Sequence, residues 1–244
     1  MKNPHKRQVE KRISLLNWIG TFRLTTFSLW CENEGLVARG QHHFKKKLLE
    51  EKLIGIYPYQ GAKEDILMLT SKGKQLIRGF NPELRRAVTD PSRISASQIP
   101  HTLLVQKSIN AFHDKSREFV VEPQFEEHQS SLRPDALIWV DNQLTALEME
   151  NTPKHNLRVY CILRQHIAMI LDGLYTQVLY CFSNNSTYDF YRHLLEEQLW
   201  PVVVFNRQQQ RYLQKRSDED ELLGFDPEHY REKFSLRMID GSLA

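Results

Sequence analysis

Two apolar stretches separated by a short polar segment constrain the fold more than any other feature of the chain. Residues 136–140 and 144–147 are almost entirely apolar, and Asp141-Asn142-Gln143 lies between them. This pattern predicts two β-strands joined by a tight turn. If Asp141 and Asn142 form a two-residue turn, Val140 pairs with Gln143, and that pairing fixes the register of the whole hairpin.

Three acidic side chains fall at the far end of this hairpin. In the register set by the turn, Asp135 lies directly opposite Glu148, and Glu150 shares a strand face with Glu148. Like charges that face each other across a ladder destabilise it, so the three carboxylates predict a bound cation. Oxygen ligands suit Mg²⁺ or Mn²⁺ better than Zn²⁺. The alternative is three unrelated acids at strand ends, since any other register breaks their convergence.

Composition predicts a globular cytoplasmic protein. Hydrophobic residues make up 41% of the 244-residue chain, which is enough for a packed core. No apolar run approaches the length of a membrane span, and the first residues lack the apolar stretch of a signal peptide. Cys31, Cys161 and Cys181 are widely spaced, which argues against a disulfide framework and against a structural zinc site.

Charge is unevenly distributed along the chain. Residues 1–80 contain fifteen basic and seven acidic residues, a net charge of +8, whereas the remaining residues carry a net charge of −5. A basic domain is suited to a polyanion such as nucleic acid. The segment that follows is rich in proline and serine, which marks a boundary. We therefore predict a DNA-binding domain at 1–80, a linker at 81–100, a second domain at 101–216 and an acidic C-terminal tail at 217–244.

The N-terminal region has three predicted helices followed by a hairpin. The helices span about residues 10–23, a segment after Thr25-Thr26, and about 41–53; the hairpin strands are 54–57 and 65–70. This order resembles a winged helix-turn-helix domain, which implies that the third helix enters the major groove. The DNA-facing candidates on that helix are His42, His43, Lys45, Lys46 and Lys47. The alternative is a solvated basic helix that binds nothing.

The C-terminal region is predicted to form a mixed sheet with helices on its faces. A helix, three strands, a helix, a strand, a helix and a last strand at 202–205 follow one another. Together with Pro134-Asp135 and Glu148-x-Glu150, this order resembles the PD-(D/E)xK nuclease superfamily, which has a restriction-endonuclease-like core. The resemblance implies metal binding at Asp135 and Glu148. The usual lysine is Glu150 here, and Lys154, one turn further on, could supply the missing ammonium.

A winged helix joined to this core resembles the MobC relaxases of mobilizable plasmids and the related replication-relaxation proteins. The resemblance covers nearly the whole chain and rests on Arg133 to Glu150, Lys154 and Arg158. It implies conjugation-related, strand-specific endonuclease activity at a plasmid transfer origin, with an accessory mobilization protein and a coupling protein as partners. One alternative is a replication or transcription regulator with a degenerate nuclease core. Another is a nuclease of repair or restriction type.

Each candidate site residue has a chemical role and a plainer alternative. Asp135 and Glu148 would bind the metal, and Glu150 would be a further ligand or the base for an attacking water. Lys154 and Arg158 share a helix face and could clamp a phosphate, or form a solvated basic stripe. Arg133 could contact a phosphate or pair with Glu150.

The attacking group could also be a tyrosine instead of water. Tyr160 lies on an apolar helical stripe and is predicted to be a core residue, although its hydroxyl could reach the site. Tyr188 and Tyr191 are possible nucleophiles near a helix start, or else packing residues.

Overall fold

A computed structural model describes residues 4–82, 84, 87–121, 132–206, 208–216 and 224–242. The chain has a mixed α and β architecture with several sheets, as predicted. It divides into two compact units. The first comprises Met1–Ser116, Val120–Glu126 and Ser242–Ala244, and the second comprises Arg117–Phe119 and Glu127–Gly241. Among the described helices, none is both long enough and apolar enough to cross a membrane.

Five helices and a small antiparallel sheet form the first unit. Its helices are α1 (Pro4–Phe22), α2 (Phe27–Asn33), α3 (His42–Glu50), α4 (Ser71–Arg78) and α5 (Gln98–Phe112), with short 3-10 helices at Ala38–Gln41 and Pro91–Arg93. Its strands are β1 (Thr25–Thr26), β2 (Ile54–Tyr57), β3 (Ile66–Leu69) and β4 (Val120–Val121), of which the first three pair antiparallel in the order β1-β3-β2.

Local signals explain where these helices begin and end. Thr26 and Thr70 cap α2 and α4, and each side chain accepts a hydrogen bond from a backbone N–H in the first turn. Helix α3 ends earlier than the predicted Leu53, because Lys52 adopts a left-handed backbone conformation with a φ of 57°. Gly73 lets helix α4 pass close to the backbone that follows α3, since a Cβ at position 73 would lie 2.0 Å from the Leu53 carbonyl oxygen.

The boundary between the units differs from the predicted linker at 81–100. The helix expected to open the second domain is α5, and it packs against α2 and β1 within the first unit. Gln106 fixes it there: its side-chain oxygen accepts from Trp18 Nε1 at 2.9 Å, and its Nε2 donates to the Leu24 carbonyl at 2.8 Å. The physical reason is that apolar periodicity identifies a helix but does not identify the core against which it packs.

A mixed sheet forms the centre of the second unit. The sheet contains β5 (Ala136–Val140), β6 (Gln143–Glu150), β7 (Gln177–Phe182) and β12 (Phe234–Met238). The helices of this unit are α6 (Asn156–Leu171), α7 (Asn185–Glu196) and α8 (Glu228–Arg231). Strands run in the order β12-β7-β6-β5, with β5 antiparallel to β6 and with β7 parallel to both β6 and β12. Smaller strand pairs are formed by β8 (Trp200–Pro201), β9 (Val203–Asn206), β10 (Arg211–Gln214) and β11 (Gly224–Phe225).

Two expectations about the edge of this sheet were wrong. The strand predicted at 202–205 does not join the sheet, and β9 pairs instead with β10 in a separate hairpin. The position beside β7 is taken by β12, which comes from the segment predicted to be an acidic tail. Parallel pairing between distant segments leaves no local signal, so the sequence pattern could not identify this partner.

The central hairpin has the predicted register. Asp141 and Asn142 both have positive φ values, 48° and 64°, as a type I′ turn requires. Val140 pairs with Gln143, and the ladder continues to Ala136 opposite Leu147. This register decides which side chains meet at the other end of the hairpin.

Candidate functional site

The candidate site lies where β5 begins and β6 ends. Asp135 immediately precedes β5, and the next step of the register after Ala136–Leu147 places it across from Glu148. The Asp135 Oδ2 atom accepts a hydrogen bond of 2.7 Å from the backbone N–H of Met149. Asp135 is half-buried. The strand ladder and this hydrogen bond therefore hold the carboxylate at the end of the hairpin.

Two further carboxylates lie on the buried face of β6. Glu148 and Glu150 are only 8% and 4% exposed, and in β7 they pair with Tyr180 and Phe182. Both partners are fully buried aromatic residues. Burying a carboxylate in such surroundings is unfavourable unless polar partners compensate for the lost water.

His166 is a buried polar residue that lies close to Glu148. Its Nε2 lies 3.2 Å from Glu148 Oε1, and its Nδ1 lies 2.6 Å from the hydroxyl of Tyr175. His166 is completely buried in α6. Burial, reinforced by the positive charge of Lys154, lowers the pKa of His166 to about 3. The imidazole is therefore neutral at pH 7, and its contact with Glu148 is not an ion pair.

Glu150 is neutralised by a lysine. Lys154 lies four residues further on, and its Nζ forms an ion pair and hydrogen bond with Glu150 Oε1. Burial raises the pKa of Tyr191, and the charge of Glu150 raises it further. The pKa of Tyr180 is also raised by burial, and the nearby charge of Glu148 adds to this. Lys154 is thus the cation that balances the Glu150 carboxylate.

The predicted convergence of three carboxylates on one cation is not seen. Within the described ranges, no three His, Cys, Asp or Glu side chains form a group that could hold a metal ion. Glu150 pairs instead with Lys154. Asp135 and Glu148 remain as a carboxylate pair. Such a pair fits Mg²⁺, which is often bound by one or two carboxylates together with waters and substrate phosphates.

The candidate tyrosine nucleophiles are mostly packed in the core. Tyr160 and Tyr191 are 2% and 1% exposed, and the Tyr160 hydroxyl lies 3.5 Å from the Leu194 carbonyl. Burial raises the pKa of both, which opposes formation of a phenolate nucleophile at neutral pH. Tyr188 is half-buried and packs edge-on against Phe182.

The candidate DNA-binding residues lie mostly at the surface. On α3, His42, His43, Lys46 and Lys47 are exposed, whereas Lys45 is half-buried. Lys45 pairs with Asp65 at 3.0 Å, and Lys46 lies 3.8 Å from Glu50. The same unit contains a cavity of about 460 Å³ whose lining includes Arg12, His43 and Lys47.

In the second unit, Arg133 and Arg158 are also exposed. Arg133 precedes the hairpin strand that carries Asp135, and Arg158 lies in the first turn of α6. Among the described residues, neither arginine forms an ion pair with Asp135, Glu148 or Glu150.

Sequence reasoning missed His166 and Tyr175. His166 falls between Leu163 and Ile167, on the apolar stripe that was predicted to be core. A titratable residue on such a stripe indicates that a polar partner lies nearby, because an ionisable group is seldom fully buried without one. Tyr175 lies in the connection between α6 and β7, where local periodicity gives no indication of its partner.

No protein-family model matches the chain, and no significant match was found among curated proteins or solved structures.

Proposed function

We propose that the protein is a metal-dependent DNA endonuclease that nicks one strand at a plasmid transfer origin, as a relaxase of the MobC type. The observation that supports this best is the pair Asp135 and Glu148, set opposite each other by the hairpin register beside buried ionisable groups. Buried groups whose pKa values are shifted, as those of His166 and Tyr180 are, occur more often at functional sites than in ordinary cores.

In this proposal, Asp135 and Glu148 hold Mg²⁺ or Mn²⁺. Oxygen donors and the small number of protein ligands both suit these cations, whose remaining positions are taken by water and phosphate oxygens. The bound cation would lower the pKa of a water and neutralise charge at the scissile phosphate. Burial of Glu148 strengthens this electrostatic effect, because the surrounding aromatic side chains exclude water.

Lys154 takes the role of the lysine that the nuclease pattern has at position 150. Its ammonium reaches the Glu150 carboxylate from one turn beyond the strand, so a positive charge lies beside the position that the motif assigns to it. Arg158, one helical turn further on and exposed, would contact the DNA backbone. These positions support the interpretation that the catalytic lysine of the motif is supplied here from position 154 instead of position 150.

The first unit would bring the duplex to this chemistry. We propose that it is a winged helix domain in which α3 lies in the major groove, with the exposed His42, His43, Lys46 and Lys47 facing DNA. Plasmid DNA is the proposed substrate, and the site of action is the cytoplasm. An accessory mobilization protein and a coupling protein are proposed partners on resemblance alone.

A second candidate function is a DNA-binding replication or transcription regulator with an inactive nuclease core. Two observations favour it: the lysine position of the motif is occupied by Glu150, and no three-residue metal group is present in the described part of the chain. In that case, the Lys154–Glu150 pair would be a structural ion pair only.

A nicking assay separates the two. Supercoiled plasmid carrying a candidate transfer origin is incubated with the protein in Mg²⁺ or Mn²⁺, against EDTA, beside Glu148→Gln and the exposed-acid control Glu196→Gln. The proposal expects metal-dependent open circles that disappear in Glu148→Gln and persist in the control. Labelling the 5′ end would show whether a tyrosine is attached. Absence of nicking by folded, DNA-binding protein, with the accessory protein present, would contradict the endonuclease proposal and favour the regulator.

A further inference from the structure

We propose that the first unit binds a small organic phosphate in the cavity between α1, the 3-10 helix Ala38–Gln41 and α3. The cavity has a volume of about 460 Å³, and its lining comes from these three elements. Pockets for small molecules typically measure about 300–1,000 Å³, so the space suits a ligand larger than a single ion. The proposal goes beyond the nuclease chemistry, which is assigned to residues of the second unit.

The charged side chains that line the cavity favour an anion. Arg12 and Lys47 provide two positive charges, and among the described residues no Asp or Glu lines the cavity. The neighbouring Glu51 carboxylate pairs with Arg12 Nη2 at 2.9 Å, which leaves the donors on Nε and Nη1 of the guanidinium. Lys47 is exposed, and His5 and His43 in the same lining add positive charge when they are protonated.

A glutamine in the lining supplies a further donor. Lys11 Nζ donates to Gln41 Oε1 at 2.9 Å, so the oxygen end of this amide is already occupied by a cation. The amide nitrogen of Gln41 keeps its two N–H donors. A phosphate group presents several strong acceptor oxygens, and an arginine fork together with a lysine charge binds such a group well. The donors around the cavity therefore match a phosphate.

Apolar side chains form the rest of the lining, and they indicate that the ligand also has an apolar part. Phe44 and Leu48 are buried, and the Phe44 ring stacks on Trp30 with centroids 5.6 Å apart, so the core holds this wall in place. Val9 lines the cavity with an exposed side chain. Inorganic phosphate cannot cover this apolar surface, whereas the organic part of a phosphate ester gains from doing so.

The probe is AMP, which joins a phosphate to an aromatic base, and its binding to the full chain is measured by calorimetry. We expect saturable binding at one site, with weaker binding of inorganic phosphate and of adenosine. Lys47→Gln removes a charged donor and should weaken AMP binding by about 10–100-fold. Arg39→Gln is the matched control: it removes one exposed positive charge beside the cavity lining and should leave AMP affinity unchanged.

A second variant tests the cavity without changing any charge. Gly40 lines the cavity, and a Cβ at this position would meet nothing within 4 Å. Gly40→Leu should therefore fold and fill part of the space, and we expect AMP affinity to fall by about tenfold or more. If this variant does not fold, Val9→Glu replaces it, because a carboxylate on the lining would repel the phosphate.

The outcomes are decisive in both directions. Loss of AMP affinity in both cavity variants, with normal affinity in Arg39→Gln, would support the site. Absence of saturable AMP binding by the folded wild type would overturn it, and so would wild-type affinity in either cavity variant. Duplex DNA is the other source of phosphate esters. If AMP does not bind and Gly40→Leu weakens duplex binding, the cavity receives a backbone phosphate and the small-molecule site is rejected.

Discussion

Both units bury polar side chains, but the network around α5 in the first unit is built from neutral groups, whereas the buried groups around β6 in the second unit are ionisable. In the first, Trp18, Thr25 and Gln106 form a network with the Leu24 carbonyl. In the second, the buried groups include Glu148, Glu150 and His166. Neutral partners lose little when water is removed, provided that every donor and acceptor is satisfied, whereas carboxylates and imidazoles lose far more.

The difference indicates different purposes. The amide of Gln106 uses both its oxygen and its nitrogen within the core, which suits a network that joins α5 to the rest of its unit. The second network ends at carboxylates that border the surface, and it contains both a neutral histidine and a lysine ion pair. Buried ionisable groups are found at functional sites more often than in ordinary cores.

The largest effect expected at pH 7 concerns the neutral network. Gln106→Ala leaves Trp18 Nε1 and the Leu24 carbonyl without this partner, and it also leaves a cavity. We expect the free energy of unfolding to fall by about 3 kcal/mol, measured by urea denaturation at pH 7. Mn²⁺ affinity should not change. A loss of Mn²⁺ binding in folded Gln106→Ala would contradict the interpretation that the Gln106 network is purely structural.

The next effect concerns pH and the second network. His166 has a pKa of about 3 when folded and an ordinary value of 6.5 when unfolded, so the unfolded chain binds the additional proton between these values. The stability contributed by the neutral ring is complete above pH 6.5 and is lost as pH falls toward 3. The expected slope is about 1.4 kcal/mol per pH unit within that window.

The measurement is urea denaturation at several pH values, with His166→Leu as the comparison. The variant should lose this component of the slope, whereas Ile167→Val should retain it. Identical slopes in wild type and His166→Leu would show that His166 is not the group that titrates.

The helix caps of the two units allow a comparison with smaller expected changes in stability. Thr26→Ala in the first unit removes the cap of α2 and should lower the free energy of unfolding by about 1 kcal/mol. Asn184 caps α7 in the second unit, but its Nδ2 also donates to the Asn151 carbonyl at 2.9 Å. Asn184→Ala should therefore cost more than Thr26→Ala, and Asn184→Ser should recover only the capping part. Thermal or urea unfolding of the three variants would test this. Equal losses of unfolding free energy in Asn184→Ala and Thr26→Ala would argue against a contribution from the hydrogen bond between Asn184 and Asn151.

The smallest effect on stability is expected at the surface of α3. Lys46 and Glu50 are each about two-thirds exposed, so Lys46→Ala should change the free energy of unfolding by less than about 0.5 kcal/mol. If α3 contacts DNA, the same variant should weaken duplex binding and reduce the salt slope of the binding constant by about 1. Leu171→Ala, an exposed position in the second unit, is the matched control. Unchanged duplex binding over a range of salt would argue against a phosphate contact by Lys46.

Features encoded by neighbouring residues could be predicted from the sequence. The turn at Asp141-Asn142 fixed the hairpin register, because both residues readily adopt positive φ, and that register placed Asp135 across from Glu148. The caps at Thr26 and Thr70 likewise act within a single turn of helix. In each case, the residues that determine the structure are also close in sequence.

Features that depend on distant partners could not be predicted. The apolar pattern of α5 did not reveal that Gln106 would join it to the first unit, and the acidic run after residue 217 obscured the strand Phe234–Met238. Glu150 looked like a third ligand because strand alternation places it beside Glu148, but its ion pair with Lys154 depends on how the chain turns after the strand. His166 lies on the apolar helical stripe of α6, and periodicity identifies such a face but not the partners of its residues.

The parallel pairing of β12 with β7 has a consequence for biosynthesis. The chain emerges from the ribosome with its amino terminus first, so β5, β6 and β7 are complete well before Phe234–Met238 has been translated. Until then, one edge of β7 has unpaired backbone groups, and the nascent chain has an open sheet edge of the kind that promotes association with other strands. The nascent chain is therefore expected to need protection by chaperones until Phe234–Met238 pairs with β7.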